Sequence, residues 1–463
     1  MKRTAVALLS LAMTGCTVGP RYKRPAVDVP AAHRGIEQEN AGKTDSASLA
    51  DQKWWELFQD QQLQQLLRIA IEQNYDVRIA AARILEAQAQ LGITRSNQFP
   101  QANAGAAASA QRTPRQSVLP ATNSSVEQLS ISAAWELDFW GKFRKATEAA
   151  RANLLASEWA RQQVISTLVS NVATAYFQLR ELDLELEISQ QTLTSRRDSL
   201  KLTQLLADHG ATSMLDVRQA EQLVYTAAEQ VPDLERRIQQ QENLISTLLG
   251  QNPGAVSRGL KLTEQPHMPQ VPAGLPSSLL ERRPDIRQAE QLLVASNAQI
   301  GVAKTAYFPQ ITLTGDAGYQ SSALTSLFSG PAGFFSLGGS LVQPLFAGGR
   351  IRSGVKLAEA QKEEALLAYR QTVQQAFRDV SDSLVAYEKD QEFRQQQQLL
   401  TNAAEDAAHL SDIRYKGGAT SYLEVLTNQT NYFSAQLNLA QAQLNELNAF
   451  VQLYRSLGGG WQQ

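Results

Sequence analysis

From Lys142 to Asp208 the chain runs for 67 residues without a proline or a glycine. Proline deletes a helical hydrogen bond and glycine loosens the backbone, so nothing in this stretch interrupts a helix. Ile165, Val172, Leu179, Leu186, Leu193 and Leu200 recur every seven residues along it, the spacing of an apolar stripe that packs on other helices. At 1.5 Å per residue such a helix is about 100 Å long. That is too long for a compact domain, so a rod is expected. Arg350 to Lys416 forms a second segment of 67 residues, with one early glycine, Gly354.

The two long segments belong to a larger repeat. Ala89-Gln-Leu-Gly-Ile-Thr-Arg-Ser-Asn-Gln-Phe-Pro-Gln101 returns 209 positions later as Ala298-Gln-Ile-Gly-Val-Ala-Lys-Thr-Ala-Tyr-Phe-Pro-Gln310. Gly210-Ala-Thr-Ser-Met-Leu-Asp-Val217 returns as Gly418-Ala-Thr-Ser-Tyr-Leu-Glu-Val425, and Leu249-Gly250 as Leu457-Gly458, both 208 positions on. Three matches in one order and near-constant register make the chain two copies of one unit. The copies are expected at 56–250 and 277–458. A linker at 251–276 carries Pro253, Pro266, Pro269 and Pro272, and a short tail follows at 459–463.

Each copy predicts a helix ending at Phe99-Pro100 or Phe308-Pro309, two strands, the long helix, a glycine turn and a returning helix. The strands are expected at about 101–111, 127–139, 310–320 and 334–344. Leu129-Ser-Ile-Ser-Ala-Ala-Trp-Glu-Leu-Asp-Phe139 alternates apolar and polar residues, as strands crossing a membrane do and as half-buried strands of a soluble sheet also do. The last helix carries Leu423, Leu426, Thr430, Phe433, Leu437, Ala440, Leu444, Leu447, Val451 and Tyr454, a seam with spacings of three and four. After the leader no run of 18 apolar residues occurs, so no helix spans a bilayer. Four strands cannot enclose a lumen, and open edges are not tolerated in lipid. Strands of several chains are therefore expected to close one barrel.

Residues 1–15 read as a secretory signal: Lys2 and Arg3, a short apolar run, then Thr14-Gly15 before Cys16. Gly15-Cys16 resembles the bacterial lipoprotein box, with Met13 in place of the usual Leu. It implies cleavage before Cys16 and a covalent lipid there as membrane anchor. The segment 16–55 is expected to be extended. Net charge is −2, which offers no basic surface for nucleic acid. His33, His209, His267 and His409 are scattered, and no metal-ligand spacing appears. No His-x-x-Glu-His or Gly-x-Ser-x-Gly motif is present, so neither enzyme chemistry nor a metal or other cofactor is expected.

The chain resembles the TolC-like outer-membrane factors, in the lipidated branch that includes OprM and CusC. The residues carrying the resemblance span the mature chain: Cys16-Thr-Val-Gly-Pro-Arg-Tyr22; Trp54-Trp55-Glu56-Leu57-Phe58 with Asp60 and Leu63; Arg282-Arg-Pro-Asp-Ile286; Tyr422-Leu-Glu-Val-Leu426; and Gly458-Gly-Gly-Trp461. The resemblance implies a mainly helical fold with a membrane β-barrel. Three chains would each give four strands to one twelve-stranded barrel, and their helical hairpins would form a periplasmic α-barrel. It also implies an outer-membrane channel of a tripartite efflux pump in a Gram-negative bacterium, passing drugs and toxic compounds. The implied partners are a periplasmic adaptor, an inner-membrane pump and outer-membrane lipid. Export of metal ions or of proteins is the alternative within the family. A scaffold lipoprotein would explain the helices and Cys16, but not the alternating strands.

By the same resemblance, the turns containing His209, Gly210 and Ala211, and Gly417, Gly418 and Ala419, dock the adaptor. The family's usual Val before Gly is His209 in one tip and Gly417 in the other. Asp216 and Glu424, one turn past the tips, would face the lumen as an acidic constriction, although Thr427 stands where the family often has a further carboxylate. Each equally suits a helix's first turn, where it complements the dipole. Arg414 and Tyr415 match a pair implicated in closing the gate.

Overall fold

The computed structural model describes residues 17–30, 48–115, 121–266 and 276–462. In chain order its principal elements are α1 (Gln61–Gln73), α2 (Tyr75–Ser96), β1 (Gln101–Thr113), β2 (Thr122–Glu136), α3 (Lys142–Asp208), α4 (Met214–Leu248), α5 (Pro284–Thr305), β3 (Gln310–Ser321), β4 (Gly333–Val342), α6 (Arg350–Lys416) and α7 (Tyr422–Ser456). The fold is mainly helical with four antiparallel strands. Helices α3 and α6 each hold 67 residues, α4 and α7 each hold 35, and α2 and α5 each hold 22. The repeat is thus reproduced helix by helix. Helix α2 stops at Ser96, ahead of Phe99-Pro100, because Gln98 and Phe99 N–H groups turn back to Arg95 and Ser96.

The chain forms two compact units, and each draws on both repeats: one comprises Met1–Ala26, Arg83–Glu158 and Gln288–Arg370, the other Val27–Ala82, Trp159–Arg287 and Gln371–Gln463. Strand β2 of the first repeat pairs with β3 of the second, and α4 packs on α7, so a compact unit is not a repeat.

The first unit contains the sheet, in the order β1-β2-β3-β4 with every pair antiparallel. Strand β2 is shifted from the expected 127–139. Its register with β1 runs from Thr113 opposite Thr122 to Gln101 opposite Ala134, which extends it toward its N-terminus. At its other end the Asp138 carboxylate accepts the N–H groups of Phe143 at 3.2 Å and Arg144 at 2.9 Å. This cap starts α3 and draws the chain out of the sheet. Pairing aligns the odd-numbered residues of β2, β3 and β4: Ile131 faces Ala317, and Ala317 faces Phe335. The even-numbered alanines of β1, such as Ala104 opposite Ile131, join the same face. That face is apolar and exposed, with Ile131, Trp135, Leu313, Phe335, Leu337 and Leu341 open.

In the same unit residues 17–24 lie against α5. Gly19, at φ +120°, sits so close to Gly301 that a Cβ would come within 2.5 Å of its Cα. Tyr22 Oη donates to Glu290 at 3.2 Å, and Arg24 pairs with the same carboxylate at 3.2 Å.

The second unit has a continuous apolar core. Trp54, Phe58, Leu63 and Leu67 pack against Ile165, Val172, Tyr176 and Leu179 of α3, and against Leu447, Val451 and Tyr454 of α7. The first half of the heptad stripe of α3, Ile165 to Leu179, is buried here, and Leu186, Leu193 and Leu200 are half-buried. At its centre Asp60, 1% exposed, caps α1. Its carboxylate accepts N–H groups of Gln62, Leu63 and Leu260, the Tyr176 hydroxyl at 2.9 Å and the Gln265 amide at 3.1 Å. Gly259 allows this approach, since a Cβ there would lie 2.1 Å from Asp60 Oδ1. Arg283 of the Arg-Arg-Pro-Asp-Ile stretch is also buried, and its guanidinium binds Asp285 at 2.7 Å, Asp379 at 3.3 Å and Ser456 O at 3.2 Å.

Candidate functional site: the helical tips

The turn from α3 to α4 and the turn from α6 to α7 have the same geometry. Gly210 and Gly418 both take φ +71°. The next residues, Ala211 and Ala419, donate their N–H groups to Leu206 O and Arg414 O, each at 2.8 Å. A left-handed glycine followed by such a bond is the helix stop that satisfies the last carbonyls. The residue before the glycine differs between tips. The His209 ring Nδ1 contacts Leu205 O at 2.8 Å, whereas Gly417 has no side chain to offer. All six tip residues from His209 to Ala211 and Gly417 to Ala419 are exposed.

Asp216 and Glu424 sit in the first turns of α4 and α7 and are half-buried. Each accepts the hydroxyl of the threonine four residues earlier, Thr212 for Asp216 and Thr420 for Glu424. Asp216 also completes a capping box. Ser213 Oγ accepts the Asp216 N–H at 3.3 Å and Asp216 Oδ2 accepts the Ser213 N–H at 3.3 Å. The helix N-terminus thus complements the Asp216 charge. Glu424 lacks the box and is reached by Arg414 Nη1 at 3.7 Å. Arg414 is exposed and Glu424 partly so, hence this pair contributes at most about 1 kcal/mol. Among the described residues no hydrogen bond or ion pair joins Asp216 to Glu424.

Tyr415 does not accompany Arg414. Its ring packs on Tyr422 at 5.3 Å, beside a small cluster of Ala220, Tyr422 and Val425. That cluster corrects the expected seam of α7. Tyr422 and Val425 are buried at its start, and Leu423 is 57% exposed. Packing on Ala220 of α4 turns the Tyr422 face inward. Burial pushes the Tyr422 phenol above its ordinary value, against a hydrogen bond with Thr203 that lowers it. A cleft of about 590 Å³ opens beside it, lined by Asp198, Thr203, Asp412, Tyr415, Lys416 and Gln429 among others.

Three residues at the tips escaped the sequence reading. Thr212 and Thr420 were visible in the repeated Gly-Ala-Thr-Ser, but nothing local assigns their hydroxyls to the carboxylates. Arg196 is the third. It is buried, donates to Leu223 O of α4 at 2.9 Å and stacks on the Phe433 ring of α7 at 5.0 Å. Burial lowers its pKa. It ties the first hairpin to the returning helix of the second. Cys16 lies outside the described residues.

The chain matches the model of the outer membrane efflux protein family over residues 66–251 and 275–459. It is 36% identical to a probable efflux pump outer membrane protein, TtgC of Pseudomonas putida, covering 99% of this chain and 96% of the relative. It is 32% identical to the cation efflux system protein CusC of Escherichia coli, covering 98% of each. The solved outer-membrane channel OprN superposes with a TM-score of 0.89 at 33% identity, over 97% of this chain and 100% of that one. This is a family of transport components of the Gram-negative outer membrane, and its models, relatives and solved channels agree along nearly the full length. The chain belongs to the outer membrane efflux protein family.

Proposed function

We propose that the protein is the passive exit duct of a tripartite efflux pump, working as a homotrimer. The sheet carries this reading. Strands β1 and β4 are its edges, all thirteen residues of β1 are exposed, and one face is apolar and open. In lipid such edges must be paired by other chains. Three copies of four strands make the twelve-stranded barrel that the family resemblance implies. Native mass spectrometry of the detergent-solubilised protein tests this. A dominant trimer is expected, and a dominant monomer would overturn it.

The tips are proposed to receive a periplasmic adaptor, which links the duct to an inner-membrane pump. Cys16 is proposed to carry a lipid. Glu424 and Asp216, in three copies each, are proposed to line an acidic constriction that raises local cation concentration. Planar-bilayer recordings of Glu424→Gln and Asp216→Asn should show reduced cation preference, with the larger effect at Glu424, which lacks a capping box. Arg414→Ala should open more readily. Unchanged selectivity in the double variant would leave both carboxylates with a capping role only. Small organic toxicants are the cargo this reading favours. Kinship with CusC supports a second reading, export of metal cations. Silver and copper tolerance in a host lacking its own duct separates the two.

A further inference from the structure

Glu181 stands partway along α3 with none of its surface exposed. An ionised carboxylate there loses its hydration and needs strong partners in return. Its Oε2 accepts one hydrogen bond, from the Gln178 amide at 2.9 Å. Its Oε1 meets no donor among the described residues. Glu185, one turn further on, brings a second carboxyl within hydrogen-bonding reach. Among the described residues, the cation that acts on this pair is Arg237 of α4, which approaches Glu185 at 3.3 Å. Arg180 and Asp183, close in sequence, are engaged elsewhere: Arg180 Nε donates to Leu260 O at 2.9 Å and Asp183 binds Arg258 at 3.2 Å.

A buried carboxylate and the half-buried one beside it, with a single guanidinium paired to the second, do not both ionise readily. A carboxylic acid, by contrast, has the donor that Oε1 lacks. We infer that Glu181 and Glu185 hold one proton between them at neutral pH, which makes the pair a pH-sensitive lock between α3 and α4. In the locked form Glu181 is neutral, and Glu185 carries the charge that meets Arg237. Raising the pH releases the proton to solvent and leaves two carboxylates facing one guanidinium.

Burial first, and the Glu185 charge second, push the Glu181 carboxyl up from 4.5 to about 8. The folded state therefore binds the proton more tightly than the unfolded chain. The stabilisation is complete below pH 4.5 and is lost as pH rises through about 8, by at most about tenfold per pH unit and protomer.

The test uses the full chain in detergent. At pH 7 its infrared spectrum should contain a protonated-carboxyl band that Glu181→Gln removes and alkali abolishes. In urea, the folded-to-unfolded ratio of Glu181→Gln relative to the parent should rise about four-hundredfold per protomer between pH 5 and 8. Glu185→Gln removes the second carboxyl and leaves Arg237 to act on Glu181, so the band should titrate at lower pH. That variant decides the matter if Glu181→Gln fails to fold. A parent without the band at pH 7, a Glu181→Gln stability that tracks the parent at every pH, or a titration unmoved by Glu185→Gln each overturns the inference.

Discussion

Replacing Asp60 by alanine removes one carboxylate that holds three parts of the second unit together. Five donors converge on it, from the start of α1, from Tyr176 of α3 and from the linker at Leu260 and Gln265. Loss of the helix cap alone costs about 1 kcal/mol. Buried donors left without an acceptor cost about 1–3 kcal/mol each, reduced where water enters the space. Tyr176 also accepts the Gly259 N–H at 2.8 Å, so its hydroxyl can re-orient but not leave. A total of about 3–5 kcal/mol per protomer is expected, the range for breaking a buried charged network. Thermal unfolding of the detergent-solubilised protein should show the midpoint lowered by about 5 °C or more. Asp382→Ala is the control. Its side chain is 75% exposed and its pair with Arg378 spans 3.9 Å, so almost no change is expected. An Asp60→Ala midpoint indistinguishable from that of Asp382→Ala would refute the reasoning, because the five contacts would then be worth no more than a surface pair.

Leu337 is 85% exposed on the apolar face of the sheet. If lipid covers that face, Leu337→Arg should cost about 2–4 kcal/mol and reduce membrane insertion; Ser336→Arg, on the opposite face, should insert normally. Equal insertion of the two variants, measured by membrane fractionation, would remove lipid from that face. Gly418→Val places a β-branched residue at φ +71°, at a local cost of about 1–2 kcal/mol. Because no atom lies within 4 Å of the added Cβ, the protein should assemble normally while pump-dependent drug tolerance falls. Cys16→Ser should abolish labelling by a radioactive fatty acid while the protein stays in the membrane fraction; a wholly soluble variant would count against the barrel.

The sequence alone determined the features that depend on neighbours in the chain. The long helices occupy 142–208 and 350–416 as expected, because helix propagation depends on residues three and four apart and ends where glycine permits a left-handed turn. Alternation likewise marked the strands around Leu129–Phe139 and Ile311–Tyr319, since side chains in a strand point to opposite faces in turn, whereas 102–110 alternates weakly and 335–342 is glycine-rich. Tertiary structure decided whatever depends on residues far apart in sequence. Strand β2 took its limits from its register with β1 and from the Asp138 cap, which its own alternation does not encode. The start of α7 buried Tyr422 and not Leu423 because Ala220, some two hundred positions earlier, packs there. Arg414 met Glu424 while its neighbour Tyr415 turned to Tyr422, since consecutive residues on a helix point about 100° apart. Asp60 was legible as one letter of a motif, and Gln62 and Leu63 beside it supply two of its five donors, but the other three come from Tyr176 and the linker, more than a hundred positions away. Period and propensity report on the face a residue occupies. Which atom it meets there is fixed by how the faces of separate elements are brought together.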